Sequence, residues 1–248
     1  MIVGIFNLNT LTIATPFYNE EQGLENYFET LKKIYQEFNK DIKISFLFID
    51  DGSTDSTKKK LLEFKEKNLH YEIETFFHDK NYGYGRTLKN SIQLCKTTYL
   101  ITYDSDCTYD YKIIGQLINN INNQKNDIVN VSYKLSKNQT NINFLRSILS
   151  WGGSFVYKFF FSETRSYKIT VFTCSFRIYK VQKIKNIKLV SEDFNSCAEL
   201  MLKAMINKLQ IYEIPGENIG RKFGYSKMKI LKNIYNTLKT LFIIKYKI

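Results

Sequence analysis

Short, β-rich apolar runs alternating with helix-period segments constrain this chain more than any other feature of it. LTIAT, IKISFLFID, YEIETFF, TTYLITYD and DIVNVSY read as strands, each bounded by polar or turn residues. After the first run, GLENYFETLKKIYQEF repeats Leu24, Phe28, Leu31, Tyr35 and Phe38 at helical spacing. After the second, STDSTKKKLLEFKEK opens with helix-capping residues. This alternation predicts an α/β fold, a mostly parallel sheet with helices on both faces. Ligands of such sheets bind beyond the carboxyl ends of the strands, so the residues just after each run matter most. With 248 residues, 44% of them hydrophobic, the chain can bury a sizeable core, which excludes a disordered chain or a disulfide scaffold.

Further along, KLSKNQTNIN is the most loop-like break. FLRSILSWGGSFVYKFFF is amphipathic and reads either as a core-packed helix pair hinged at Gly152 and Gly153 or as an interfacial helix. SYKITVFTCSFRIYK then predicts a strand, NSCAELMLKAMINK a helix and LQIYEIP a last strand. From Ser226 onward, Met228, Leu231, Ile234, Leu238, Leu241 and Phe242 form one stripe among lysines, the pattern of a basic amphipathic helix.

The net charge is +12, and it is unevenly placed. From Asn218 to the end there is no acidic residue, while Arg221, Lys222, Lys227, Lys229, Lys232, Lys239, Lys245 and Lys247 are basic. We therefore divide the chain into a catalytic-type domain, 1–217, and a basic amphipathic tail, 218–248, suited to phosphates or an anionic membrane surface. The cysteines Cys95, Cys107, Cys174 and Cys197 are far apart, which points to reduced thiols rather than a zinc site. The N-terminus lacks the pattern of a signal peptide, and no apolar run approaches the ~18 residues of a membrane span. The expected location is cytoplasmic, peripheral at the cytoplasmic face of a membrane. Aromatic residues are spread along the chain rather than interleaved with a basic patch, so nucleic acid is not an expected partner. His70 and His78 read as ordinary strand or surface histidines.

Two acidic clusters each follow a strand. FLFIDDGSTDST ends in Asp50 and Asp51, turns at Gly52 and enters a helix capped by Ser53 or Asp55; a carboxylate there can accept hydrogen bonds from a ribose or a base. YLITYDSDCTYD places Asp104 and Asp106 in a turn, where both can converge on Mg²⁺ or Mn²⁺. NYGYGRTLKNSI lacks the third glycine of a dinucleotide fingerprint; its glycines suit a close backbone approach to a ligand or a helix start, with Arg86 placed to meet a phosphate.

TIATPFYNEEQGL, FLFIDDGSTDST, NYGYGRTLKNSI, YDSD, TCSFRIYK, FNSCAELMLKA and YEIP…GRKFGYSKMK occur in the order found in family 2 glycosyltransferases of the GT-A fold. From about Leu11 to Lys229 the chain resembles the dolichyl-phosphate mannose synthase and polyprenyl-phosphate glycosyltransferase branch. The resemblance implies that Pro16, Tyr18 and Glu20 hold the nucleotide base and that Asp51 contacts base or ribose. It implies that Asp104 and Asp106 bind the metal and diphosphate, and that Arg177, Arg221, Ser226 and Lys227 bind phosphate or acceptor. Glu199 matches an acidic position of open role. Against the branch pattern, Val171 stands where an aspartate is usual, Cys174 replaces a glycine, and Cys107, Thr108 and Tyr109 replace a proline-containing turn.

The implied activity is metal-dependent, inverting transfer of a sugar from a nucleotide-diphosphate donor to a polyprenyl or dolichyl phosphate. An ionised lipid phosphate needs no general base. A sugar hydroxyl does, and Asp193 in VSEDFNS is the candidate catalytic base for that alternative, a transferase of surface polysaccharide or glycoconjugate assembly. A sugar-nucleotide-binding scaffold without turnover is the non-enzymatic alternative.

Overall fold

The computed structural model describes residues 10–123, 125–136, 157–220 and 230–246. Its strands are β1 (Thr10–Phe17), β2 (Lys43–Asp50), β3 (Glu72–Phe77), β4 (Tyr99–Thr102), β5 (Ile128–Ser132), β6 (Arg177–Lys180) and β7 (Ile211–Pro215). The main helices are α1 (Leu24–Phe38), α2 (Thr57–Lys67), α3 (Tyr84–Leu94), α4 (Ile113–Asn123), α5 (Ser196–Ile206) and α6 (Ile230–Tyr246). They build one sheet in the order β3-β2-β1-β4-β6-β5-β7, in which only β6 runs antiparallel to its neighbours. This is the α/β architecture expected of the sequence.

Both faces of the sheet are covered, and alternation along the strands supplies both. Leu11 and Ile13, Phe46 and Phe48, and Tyr99 and Ile101 pack on one side with Tyr27, Phe28 and Leu31 of α1, Leu61 of α2 and Leu117 of α4. Ala14, Leu47, Ile49 and Leu100 point the other way, onto Leu88 and Ile92 of α3, Leu200 and Met201 of α5, and Leu241 and Ile244 of α6.

Arg177 is the largest fully buried side chain, at 0% exposure. It is paired in register with Thr102 of β4 and Asn130 of β5, and Asn130 is paired with Glu213 of β7. Arg177 Nε donates to Asn130 Oδ1 at 2.6 Å, and Asn130 Nδ2 donates to Glu213 Oε1 at 2.7 Å. The guanidinium also donates to the carbonyls of Cys197 and Phe172. A buried cation on β6 is thus tied to a buried carboxylate on β7 through one amide on β5.

Two expectations change. The strand expected over SYKITVFTCSFRIYK shrinks to Arg177–Lys180, preceded by a 3₁₀ segment at Ser162–Ser166. Backbone groups between them are engaged by side chains rather than by a strand ladder: Glu213 accepts from the amides of Thr170 and Val171, and Arg177 donates to the Phe172 carbonyl. The tail stripe splits. Leu241 is buried, whereas Leu238 and Phe242 are 51% and 62% exposed. Met228 lies outside the described residues, as do the side chains of Leu231 and Ile234 and most of the expected Gly152–Gly153 helix pair. Helix α4 followed no pattern singled out in the sequence.

All four cysteines are free and buried. Burial pushes the Cys174 thiol up to about 11 and the Cys197 thiol up to about 12. The native protein is therefore expected to resist a thiol reagent at pH 8 and to react at all four cysteines once unfolded in guanidinium. Arg177→Met, which keeps volume but leaves Asn130 Oδ1 and the Cys197 and Phe172 carbonyls without their donor and buried Glu213 without its countercharge, is expected to lower stability by about 3–5 kcal/mol, read as a shift in the urea midpoint.

Candidate active site

The site is built on the carboxyl edge of β1, β2 and β4, where the first two connecting loops are laced together. The Asn19 amide donates to Ser53 Oγ at 2.9 Å, the Glu20 amide to Thr57 Oγ1 at 2.8 Å, and the Thr54 amide to Asn19 Oδ1 at 2.8 Å. Asn19 takes a left-handed φ of 52° to do so. Pro16, Tyr18 and Glu20 are half-buried along this edge. Pro16 sits beyond Ala14, the last residue of β1 paired with β4, so its missing N–H costs no ladder bond.

The paired aspartates have different work. Asp50 accepts the Ser53 amide at 3.0 Å and hydroxyl at 2.5 Å and so forms the turn. Asp51 Oδ1 lies 2.6 Å from His78 Nδ1 and 2.9 Å from the Tyr82 amide, and its Oδ2 accepts from the Gly83 amide at 2.8 Å. His78 Nε2 meets Asn90 Nδ2 at 2.9 Å, and both the His78 and Asp51 side chains are 5% exposed. His78, expected to be ordinary, is therefore the group that orients Asp51. A signal was present in the sequence: each residue directly follows a strand, and Asp50 and Phe77 are register partners. Gly52 has φ +70°, and a Cβ there would come within 2.3 Å of the Lys80 backbone.

Beyond β4, Asp104 Oδ2 accepts from Ser175 Oγ at 2.5 Å and Asp106 Oδ1 from the Thr108 amide at 3.1 Å, which sets the plane of each carboxylate. Cys107 takes φ +51° and closes the turn by donating its amide to the Asp104 carbonyl at 3.1 Å. Cys107 and Tyr109, which depart from the branch pattern, are buried, and Tyr103 Oη donates to the Tyr109 carbonyl at 2.8 Å. The turn is braced from the far end of the chain by an antiparallel bridge between Tyr109 and Asn218 and by the Ile219 amide on the Thr108 carbonyl at 2.9 Å. Among the described residues no three His, Cys, Asp or Glu side chains gather into a metal cluster. A pair of carboxylates without a third protein ligand still suits Mg²⁺ or Mn²⁺, which keep waters and take substrate phosphate oxygens.

The glycines of NYGYGR admit protein backbone. A Cβ at Gly83 would sit 2.4 Å from the Glu192 carbonyl oxygen and one at Gly85 2.4 Å from that of Ser191, and the Gly85 amide donates to the Glu192 carbonyl at 2.8 Å. Arg86, expected at a phosphate, instead makes a paired contact with the Glu192 carboxylate at 3.0 and 3.2 Å, and Lys89 joins it at 2.7 Å. Arg177, expected at phosphate or acceptor, is withdrawn from the edge because its guanidinium is held inside the sheet. Asp193, the candidate base, has both oxygens engaged: Oδ1 accepts the Asn195 amide at 3.0 Å, and Oδ2 accepts Asn236 Nδ2 at 2.5 Å. Glu199 is fully buried and accepts the amides of Val190 and Ser191, both at 2.8 Å, which gives its position a structural role. Half-buried Tyr84 lies close to Asp104 and Cys197 and meets the Phe194 ring at 4.9 Å, so the 190–195 segment reaches the carboxylate cluster through it. Arg221, Ser226 and Lys227 lie outside the described residues.

His78→Phe should remove the ring nitrogen that meets buried Asp51 and lower stability by about 1.5–3 kcal/mol in chemical denaturation, whereas His78→Asn, which can return an N–H near Nδ1, should recover most of it.

With this geometry in hand, the comparisons narrow the identity. The profile of the family described as "Glycosyl transferase family 2" matches residues 12–188. The dodecaprenyl-phosphate galacturonate synthase of Rhizobium johnstonii is 24% identical, over 96% of this chain and 68% of its own length. The dolichol-phosphate mannosyltransferase of Pyrococcus furiosus is 23% identical, over 92% of this chain and 64% of its own. The chain thus spans about two thirds of each relative. Among solved structures, Mycobacterium tuberculosis glucosyl-3-phosphoglycerate synthase, in complex with Mn²⁺, UDP and glucosyl-3-phosphoglycerate, superposes with a TM-score of 0.65 at 12% identity, covering 97% of this chain and 81% of that one.

Proposed function

The chain belongs to glycosyl transferase family 2 and is a glycosyltransferase, and from that premise we propose that it moves a sugar from a nucleotide-diphosphate donor to a polyprenyl or dolichyl phosphate. The observation that carries the acceptor class is the state of Asp193. A hydroxyl acceptor must lose its proton to a base, and the carboxylate best placed in sequence for that has both oxygens engaged by Asn195 and Asn236. A lipid phosphate is ionised at neutral pH and asks for no such group. The relatives named for dodecaprenyl phosphate and dolichol phosphate support the same choice.

On this reading the half-buried β1 edge at Pro16, Tyr18 and Glu20 receives the base, and Asp51, oriented by His78, takes a further hydrogen bond from base or ribose. Asp104 and Asp106 hold a divalent cation, Mg²⁺ or Mn²⁺, and the Mn²⁺ bound in the structural relative supports that assignment. When bound, the ion supplies positive charge toward the departing diphosphate. Arg221 follows by two positions Ile219, whose amide is fixed to the Thr108 carbonyl in the turn after Asp106, and this nearness in sequence supports a phosphate-binding role for Arg221, Ser226 and Lys227. Direct attack by the acceptor phosphate oxygen on the sugar carbon inverts the anomeric centre. We assign the meeting with the lipid-borne acceptor to the cytoplasmic face of a membrane, a reading supported by the basic chain end from Asn218 onward; no helix of the described residues is long and apolar enough to cross a membrane.

Incubating the protein and membranes with a panel of radiolabelled sugar nucleotides, then extracting with organic solvent, should move label from one donor into the lipid phase. Asp106→Ala should lower the rate by about 10²–10³-fold. Label transferred only to water-soluble glycans, with Asp193→Asn inactive, would reverse the acceptor assignment. Replacing the exposed Lys239 and Lys245 with glutamine should weaken sedimentation with anionic liposomes, most visibly at low salt, while donor binding persists.

A further inference from the structure

The segment Val190–Asn195 is gripped from two sides. On the inner side Glu199 accepts the Val190 and Ser191 amides, Gly85 donates to the Glu192 carbonyl, and Arg86 and Lys89 close on the Glu192 carboxylate. On the outer side α6 presents a polar row about one helical turn long. Asn236 Nδ2 donates to Asp193 Oδ2 at 2.5 Å, Thr237 Oγ1 donates to Asn195 Oδ1 at 2.5 Å, and the hydroxyls of Thr240 and Ser191 are 2.9 Å apart. Ser191, Asn195 and Thr240 are all buried, and Leu241 and Ile244 extend the contact into the core.

The rest of α6 faces outward. Leu238, Phe242 and Tyr246 repeat at four-residue spacing and are 51%, 62% and 64% exposed. The Phe242 and Tyr246 rings lie 4.7 Å apart, and the Lys245 ammonium sits 5.3 Å from the Phe160 ring and 5.9 Å from that of Tyr246. Phe160 in turn contacts exposed Phe159. The two aromatic pairs, Phe159–Phe160 and Phe242–Tyr246, are thus linked through the exposed Lys245, with Leu238 and Lys239 exposed on the same helix, and from Asn218 onward the chain has no acidic residue. Aromatic and leucine side chains enter the acyl boundary of a bilayer while lysines reach anionic headgroups, so charge and apolarity match the same occupant.

We propose that α6 is a lipid-seated clamp: its outer stripe rests in an anionic bilayer interface, while its inner polar row holds the 190–195 segment against the start of α3 and hence against the Asp51 turn. The idea rests on the lipid-phosphate reading above and adds its regulation, because the donor side of the site is firm only when the enzyme sits where its acceptor is. Asn236, Thr237 and Thr240 are positioning residues in this scheme.

The test pairs sedimentation with phosphatidylcholine vesicles, with and without phosphatidylglycerol, and hydrogen–deuterium exchange on the full chain. Phosphatidylglycerol vesicles should bind the protein and slow exchange in residues 83–87 and 190–195 as well as in α6. Phe242→Ser with Tyr246→Ser, both at exposed positions, should lower vesicle binding on the order of tenfold. Asn236→Ala with Thr240→Val should bind vesicles as the natural chain does yet lose the slowing at 190–195. The proposal falls if the outer-face variant binds unchanged, if neutral vesicles bind equally well, if binding leaves 190–195 unaltered, or if the face captures polyglutamate and no vesicle. Neither readout needs turnover. Failure to label lipid would count against the acceptor assignment alone, and failure of these arms against the clamp alone.

Discussion

A guanidinium with no access to water has to be satisfied where it lies, and the second half of this sheet is arranged around that demand. Arg177 reaches Asn130 on one neighbouring strand, and Asn130 reaches Glu213 on the next, so the charges balance through a shared amide. Slipping any of these strands by one residue would leave a buried ion without its partner, a cost of several kcal/mol that fixes the register. The site depends on that register. Ser175, two residues before Arg177, holds Asp104, and the Arg177 contact to the Cys197 carbonyl ties the sheet to the first turn of α5.

The same network accounts for a departure from the family pattern. Where related sequences carry an aspartate, Val171 offers an apolar side chain to the core, yet its amide and that of Thr170 still end on a carboxylate, supplied by Glu213 from a different strand. The turn after Asp106 is a comparable substitution. Cys107 and Tyr109 fill it with buried volume, and Asn218 and Ile219 brace it through the backbone, doing by packing and hydrogen bonds what a proline ring does by restricting φ.

Charge near the site is more often paired within the protein than offered to a ligand. Arg86 and Lys89 belong to Glu192, and Asp193 belongs to the chain on both oxygens. On the proposed reading, what remains for a donor among the described residues is a small set: Asp51 in the orientation set by His78 and the carboxylate pair after β4. An enzyme whose acceptor arrives already ionised can work with such a set.

Local pattern was enough to read the strand and helix alternation, the two-sided burial of the sheet, and the position of Asp51, Asp104 and Asp106 just past strand ends, because periodicity and turn chemistry are set by neighbours in the chain. The absence of acidic residues from Asn218 onward is likewise a property of the sequence alone. The contacts that decide which charged residues remain for chemistry join positions far apart: 27 residues separate Asp51 from His78, 43 separate Asp193 from Asn236, and 106 separate Arg86 from Glu192. Arginine in a strand, or aspartate before a helix, looks the same in sequence whether it faces a ligand or a partner side chain. Only the tertiary structure, through sheet order and register and the docking of α6, determined that Arg177 is internal, that the glycines before Arg86 admit backbone, and that Asp193 is held by the final helix.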